Sequence, residues 1–228
     1  ASTDAATAAT PDTAGNPLLA SVAQLPDFAS VRAEHIAPAM TQLLERARAA
    51  LQQVTQSDFP ADWSAMAQTL DVVTEQLGHA WGVVSHLNSV ADTPAWRAAY
   101  NAVLPEVTAF WTELGANEAL FAKVQAIDPS TLSAEQARAR ELSLRNFILG
   151  GAQLQGEAKA RFAAIQERQA ELAQAFGEHA LDATDAFSLH VERDRLQGLP
   201  EDVLQATAQV ATAKGLSGPL LNLKMPCY

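Results

Sequence analysis

The sequence predicts a mainly α fold, built as a multi-helix domain with a small β element near its C-terminal end. Alanine supplies 47 of the 228 residues, whereas glycine and proline supply only 11 each. Alanine favours helices because it loses no side-chain entropy in them. Apolar residues make up 48% of the chain, which is enough for a sizeable core. The apolar residues also recur mostly at helical spacing, with a two-residue period only near the C-terminus.

The chain begins with a segment of low complexity and then shows its first helical pattern. Residues 1–15 are rich in Ala and Thr and have no periodicity, so we expect a disordered tail. The first helix is predicted from about Glu34 to Gln56, with Pro38 tolerated in its first turn. Its apolar residues recur three and four positions apart, which predicts one buried face. That face comprises Ile36, Met40, Leu43, Leu44, Ala47, Leu51 and Val54.

Two further helices are predicted in the middle of the chain. One covers residues 62–90, with Gly78 and Gly82 as the places where it would break. The next begins at Thr93-Pro94, which has the form of an N-cap followed by proline at the first helical position. This second helix contains Pro105, which removes one backbone hydrogen bond and predicts a kink.

Three more helices are predicted before the apolar residues change from helical spacing to a two-residue period. A short one covers residues 116–127. The next starts after Ser133, which has the spacing of a capping box with Gln136. It ends at Gly150-Gly151, a glycine pair better explained as a helix stop than as a phosphate cradle. A long helix follows over residues 157–181.

The C-terminal part combines two strand patterns with one helix. Residues 187–191 alternate apolar and polar side chains, which is the period of a strand. A helix is predicted from about Gly198 to Ala213, and residues 220–225 alternate again. Two short strands on either side of a helix predict a small sheet that closes a helical domain.

The charge and the cysteine count exclude several classes of function. The chain carries 26 acidic and 15 basic residues, which gives a formal net charge of −11. Binding to nucleic acid or to an anionic membrane surface needs clustered Lys and Arg, so neither partner is expected. No apolar run approaches the roughly 18 residues of a membrane span. The single cysteine, Cys227, cannot form an internal disulfide.

Common signatures of catalysis are missing from the sequence. It contains no H-E-x-x-H, Walker A, dinucleotide-binding or G-x-S-x-G motif. His79 and His86 lie two helical turns apart, but zinc needs three or four ligands, so a structural role is favoured. Paired carboxylates suited to acid–base catalysis are also typical of solvated turns and helix starts, and the exposed role is favoured for them. These pairs are Asp182 with Asp185 and Glu201 with Asp202.

One segment resembles a known family. Ser85, His86, Leu87, Asn88 and Ser89 are similar to a segment near the amino terminus of oligopeptidase A-type proteins, which are thimet-oligopeptidase-type zinc metallopeptidases. Five further segments agree with that family in the same order, and together they cover about residues 16–228. They are Asn16–Leu19, Glu34–Ala39, Arg145–Gly151, Leu181–Thr184 and Leu223–Tyr228.

The resemblance implies that residues 16–228 form the helical N-terminal, channel-wall domain of an oligopeptidase whose catalytic domain is absent. In that family a downstream domain carries the H-E-x-x-H zinc site and a further glutamate ligand. We therefore expect no catalytic residue, metal ligand or cofactor in this chain, and zinc in the missing catalytic domain. The implied partners are short peptides and that catalytic domain. For His86 and Asn88 we expect hydrogen bonds between helices or between domains.

The leading hypothesis is that the chain restricts access to a peptide channel, helps to hold peptide and is inactive alone. The alternative is a non-enzymatic helical interaction or scaffold module derived from that domain. A reading frame that continues past Tyr228 into H-E-x-x-H would favour the first, and a natural stop the second. Either hypothesis predicts an exposed apolar patch. The resemblance and the lack of disulfides favour the cytoplasm, with export as the alternative.

Overall fold

The computed structural model describes residues 15–223 and confirms the mainly α fold. The predicted tail, apart from Gly15, and Cys227 lie outside the described residues. Two short strands, β1 (Leu189–His190) and β2 (Leu220–Leu221), pair antiparallel near the C-terminal end. Across residues 15–223 we find no helix with the length and apolarity that crossing a bilayer requires. The helices are α1 (Ile36–Val54), α2 (Trp63–Met66), α3 (Val72–Val90), α4 (Pro94–Gly115), α5 (Glu118–Ala126), α6 (Ala134–Leu149), α7 (Gly156–Ala186) and α8 (Glu201–Ala213).

Helix α1 forms where the apolar stripe predicts it. All seven residues of that stripe are buried, and Pro38 lies in the first turn as expected. The helix ends at Val54, and the Thr55 hydroxyl donates a hydrogen bond to the Leu51 carbonyl at 2.8 Å. The side chain of Thr55 therefore satisfies one of the carbonyls that the helix end leaves open.

Helices α2 and α3 form one uninterrupted helical run. The Asp62 carboxylate accepts a hydrogen bond from the Ala65 amide at 2.8 Å and caps α2. A π-helical turn, Ala67–Asp71, joins α2 to α3. Helix α3 continues through Gly78 and Gly82, so the predicted break at these positions is wrong. One face of α3 is buried, and its burial outweighs the cost of about 1 kcal/mol per helical glycine. That face comprises Leu77, Ala80, Val83 and Val84.

Helix α4 starts at the predicted cap. The Thr93 hydroxyl accepts a hydrogen bond from the Trp96 amide at 3.2 Å, and Pro94 takes the first helical position. The preceding Asp92 accepts two hydrogen bonds from Arg97 Nε, at 2.7 and 2.8 Å. Together these contacts hold the corner between α3 and α4. The helix continues past Pro105 to Gly115 without interruption.

Two clusters of buried side chains form the core of the first five helices. The first cluster lies between α1, α3 and α4 and includes Ile36, Met40, Leu44, Leu77, Val84, Val107 and Phe110. The second lies between the end of α1, α2, the π turn and α5 and includes Leu51, Val54, Met66, Leu70, Leu120, Val124 and Ile127. Helix α1 contributes to both clusters, so it is the central element of this part of the molecule.

Helix α6 begins with the predicted capping box. The Ser133 hydroxyl accepts from the Gln136 amide at 3.3 Å, and the Gln136 side chain accepts from the Ser133 amide at 2.9 Å. Further along α6, the Arg140 guanidinium donates to the carbonyls of Val124 and Gln125 at 3.0 and 2.8 Å. Those carbonyls belong to the last turn of α5, so α6 caps the end of its neighbour.

The end of α6 confirms the glycine pair as a helix stop. The helix ends at Leu149, and Gly150 is its C-cap. A Cβ on Gly150 would lie 2.8 Å from the Gly115 carbonyl oxygen, so glycine allows the ends of α4 and α6 to approach closely. Gly151 has a φ of +92°, in the left-handed region that favours glycine. The two glycines therefore have different roles, one in packing and one in the turn.

Two compact units divide the described chain, and the boundary falls within α7 between Ala170 and Glu171. Helix α7 runs to Ala186, beyond its predicted end near residue 181. In the second unit, β1 and β2 pair with Leu189 opposite Leu221, and both strands are shorter than predicted. The buried residues of this unit include Thr207 and Ala211 of α8 and Leu220 of β2. The second predicted strand ends beyond residue 223, outside the described residues. The prediction of a single domain over residues 16–228 stays a prediction.

Candidate functional site

The segment Ser85–Ser89 lies in the last turns of α3, at the corner where the chain turns into α4. Helix α4 contacts this corner at two places. The Trp96 indole Nε1 donates a hydrogen bond to the Val84 carbonyl at 3.3 Å, and this bond is buried. The Tyr100 and Ser85 side chains also hydrogen bond to each other. The family-like segment is therefore attached to the adjacent helix through polar contacts as well as apolar packing.

The ring of Tyr100 extends this attachment into an aromatic stack. Its centroid lies 4.7 Å from that of Trp81 on α3, and the two planes differ by 20°. Burial raises the pKa of the Tyr100 hydroxyl, and the hydrogen bond with Ser85 opposes that rise. The hydroxyl thus stays protonated at neutral pH and serves as a hydrogen-bonding group.

His86 and Asn88 differ in their surroundings. His86 is exposed, and its ring packs against Phe28 with the centroids 5.3 Å apart. Its carbonyl accepts a hydrogen bond from the Ser89 hydroxyl at 2.7 Å. The Asn88 Oδ1 is buried and has no hydrogen-bond partner among residues 15–223. This observation counts against an interhelical hydrogen bond through that oxygen, and an interdomain role for Asn88 stays a prediction.

The donor groups of the described residues do not fit a zinc ion. Within residues 15–223, no group of three or more His, Cys, Asp or Glu side chains could hold a metal. His79 is half-buried on α3, two turns before the exposed His86. His35 Nδ1 accepts from a backbone amide at 3.0 Å, and His190 Nε2 lies 2.6 Å from a backbone carbonyl oxygen. Two of the histidines thus contact backbone groups, one within its own turn and one 27 residues away in sequence.

The carboxylate pairs singled out from the sequence lie at exposed positions. Glu201 and Asp202 lie in the first turn of α8, where Glu201 pairs with Arg193 at 3.0 Å. Asp182 and Asp185 are exposed on α7. An acidic side chain in the first turn of a helix interacts favourably with the helix dipole. That effect accounts for Glu201 and Asp202 without a catalytic role.

Two adjoining hollows between α4, α6 and α7 are the features that sequence reasoning missed. One has a volume of about 500 Å³ and is lined by Trp111, Leu149 and Phe162, among others. The other, of about 460 Å³, runs along α4 and α7 and shares Phe162 with the first. Trp111 is 36% exposed and Leu149 is 69% exposed. These residues are far apart in sequence, so no local pattern could have grouped them.

A smaller hollow of about 100 Å³ lies beside the π-helical turn. Trp63, Leu120 and Phe147 contribute apolar walls, and Asp71 lies at its edge. Burial raises the pKa of the Asp71 carboxyl. A carboxylate in such a position is less stable in its charged form than it would be in water.

Comparison with known proteins assigns this arrangement to a family. The family model described as "Neurolysin/Thimet oligopeptidase, N-terminal domain" matches residues 40–159, more than half of the chain. The chain belongs to this family. The matched residues run from α1 into the start of α7 and include both Ser85–Ser89 and the hollow-lining residues Trp111 and Leu149. The family predicted from Ser85–Ser89 and the five collinear segments is confirmed.

Curated relatives are named as oligopeptidases. Oligopeptidase A of Salmonella typhimurium is 35% identical over 218 residues, and that of Haemophilus influenzae is 36% identical over 218 residues. The probable cytosolic oligopeptidase A of Arabidopsis thaliana is 33% identical over 225 residues. Each match covers 93% of this chain but only 32% of the relative. The chain thus spans about a third of the length of the curated relatives that it matches.

Proposed function

We propose that this chain is the N-terminal helical part of a zinc-dependent oligopeptidase that hydrolyses short peptides. In this proposal its helices form one wall of a channel, limit the size of the molecules that enter and help to hold the bound peptide. The observation that carries the proposal is the family match over residues 40–159, together with relatives named as oligopeptidases. Each of those relatives is about three times as long as this chain.

The packing of α1, α3 and α4 supports a role as a wall. Ile36, Leu77 and Phe110 are fully buried where these helices meet. A wall that excludes folded proteins must keep its shape when a molecule presses on it, and a close-packed core resists compression. The hydrogen bond from Trp96 to the Val84 carbonyl adds a fixed polar contact at the α3–α4 corner.

Hydrolysis itself is assigned to polypeptide outside this chain. Zinc would polarise the scissile carbonyl and lower the pKa of its bound water. The described residues lack a suitable ligand set, so the ligands would come from the part of the relatives that this chain does not match. The helices described here would contribute to peptide affinity and selection by length rather than to the chemical step.

The test compares two products of the gene. The first is the 228-residue chain, and the second is the product of the reading frame extended past Tyr228. Each is assayed with an internally quenched short peptide in the presence of zinc and again with a chelator. We expect chelator-sensitive cleavage from the longer product alone. Cleavage by the purified 228-residue chain, or none by the longer product, would contradict the proposal.

A second substrate tests the role of the channel wall. The same cleavage sequence is placed in an exposed loop of a folded protein and offered to the longer product. We expect the free peptide to be cleaved and the folded protein to remain intact, because the helices limit entry. Equal cleavage of both would refute size selection.

We also propose the cytoplasm as the compartment, since one relative is named as probably cytosolic. Fractionation of cells tests this proposal.

A further inference from the structure

The surface around Trp111 and Leu149 has the composition of an interface. We define the Trp111–Leu149 surface as the residues that line the hollow of about 500 Å³. They are Thr108, Trp111, Thr112, Gly115, Asn146, Leu149, Gly150, Phe162 and Gln166. Single exposed apolar residues are normal on proteins, but neighbouring large ones around a hollow indicate a binding surface.

The helices that border this surface bury few of their own side chains. Helix α1 has nine buried residues, whereas the described side chains of α6 and α7 include none. Beside the lining residues Leu149 and Gln166 in the sequence, Ile148 is 48% exposed on α6 and Ile165 is 45% exposed on α7. A helix on the surface of a globular protein normally turns its apolar stripe towards a core. Here apolar side chains of both helices face outward.

Glycine backbone forms part of the lining of the hollow. Gly115 at the end of α4 and Gly150 at the end of α6 approach so closely that a Cβ on Gly150 would overlap the Gly115 carbonyl. The positions of Trp111 and Leu149 therefore depend on a fixed contact between two helix ends. A surface of this kind is largely formed before its partner binds, which lowers the entropic cost of association.

We infer that the Trp111–Leu149 surface is covered by the polypeptide that follows this chain in the full-length oligopeptidase. This inference rests on the proposed function. The relatives extend over about three times the length of this chain, so most of such a protein remains to be packed against it. Permanent protein interfaces are more hydrophobic than transient ones, so the large exposed apolar side chains fit a permanent partner. Glu113 and Glu167 line the adjoining hollow together with Lys159, which pairs with Glu118 at 2.8 Å. Because Lys159 already has an acidic partner, basic groups of the occupant would complement the two glutamates at that edge.

Alkylation of an introduced cysteine tests the inference directly. Leu149→Cys is made in a Cys227→Ser background, in both the 228-residue chain and the longer product. Leu25→Cys is the matched control, because Leu25 is 94% exposed and is not among the residues that line this surface. Labelled sites are identified by peptide mass spectrometry. We expect the labelling rate at position 149 to be at least ten times lower in the longer product than in the 228-residue chain. The labelling rate at position 25 should be the same in the two proteins.

A second measurement needs no substitution. Hydroxyl-radical oxidation of Trp111 in the two unmodified proteins reports burial of the native side chain, even if the cysteine variant folds poorly. Equal reactivity of Trp111 and of position 149 in the two products would overturn the inference. The inference would also be overturned if Trp111 and position 149 of the 228-residue chain became less reactive as the chain forms dimers. The same holds if an excess of peptide lowered their reactivity. Those two results would assign the surface to a second copy or to substrate.

Peptide cleavage measured on the same samples separates this inference from the proposed function. Zinc-dependent cleavage without protection would overturn the docking surface and leave the function intact. Protection without cleavage would support docking and contradict the function.

Discussion

Substitution of Gly150 by alanine tests the contact that joins the ends of α4 and α6. The new Cβ would lie 2.8 and 3.0 Å from the carbonyl oxygen and carbon of Gly115, and 3.1 Å from the Asn146 carbonyl oxygen. All three atoms belong to the backbone, so no side chain can rotate away. Gly150 has a φ of −76°, which alanine adopts freely, and the effect is therefore steric.

The expected size of this effect follows from two opposing contributions. Overpacking of a close contact costs about 1–3 kcal/mol. Alanine also restricts the unfolded chain, which returns about 0.4–1 kcal/mol. We expect a net loss of about 1–2 kcal/mol in the free energy of unfolding. With a urea m-value of about 2 kcal/mol/M, the unfolding midpoint by circular dichroism should fall by roughly 0.5–1 M.

Gly82→Ala is the matched control. Gly82 lies within α3, and a Cβ there would meet nothing within 4 Å. Alanine at this position should raise stability by about 0.5–1 kcal/mol, because glycine is a poor helix former. The same substitution should therefore shift the urea midpoint in opposite directions at the two positions. A Gly150→Ala midpoint at or above that of the parent protein would refute the close approach of Gly115 and Gly150.

Two further predictions concern polar groups with unfavourable surroundings. Burial raises the pKa of Asp71, so its ionisation opposes folding at neutral pH, whereas well below the ordinary pKa of 3.8 the carboxyl is protonated in both states. Asp71→Asn should therefore raise the urea midpoint at pH 7 and have little effect at about pH 2.5, and an equal change at both would contradict this cause. Asn88→Leu removes a buried oxygen that has no partner among residues 15–223, and such a group costs about 1–3 kcal/mol. The midpoint of the 228-residue chain should stay the same or rise, and a loss above 1 kcal/mol would show that the Asn88 amide stabilises the fold.

Features that depend on nearby residues could be predicted from the sequence. The stripe of α1, the cap at Thr93 and the capping box at Ser133 each lie within a few residues of chain, and each forms as predicted. Hydrogen bonds at helix ends and the spacing of apolar residues act over one or two turns, so a short segment contains the information. The location of Ser85–Ser89 on α3 followed from the same periodicity.

Features that depend on distant residues could not be predicted in this way. Gly78 and Gly82 do not break α3, because tertiary burial of the opposite face outweighs their low helix propensity. The π turn at Ala67–Asp71 has no local signature in the sequence. Trp111 and Leu149 line one hollow only because α4 and α6 approach at their ends. The lack of a hydrogen-bond partner for Asn88 Oδ1 among residues 15–223 likewise depends on how the helices pack.

Periodicity also left open what an apolar face packs against. Phe162, Ile165, Leu172 and Phe176 predict a long helix, and α7 forms there, yet Phe176 is 76% exposed and Leu172 is 52% exposed. If solvent were the permanent environment of this stripe, polar residues would serve there equally well, because a helix needs no apolar residues to form its own hydrogen bonds. The apolar stripe is instead typical of a helix that packs against a further element. The curated relatives that the chain matches are about three times as long, so the partner that we infer for the Trp111–Leu149 surface would also account for this stripe.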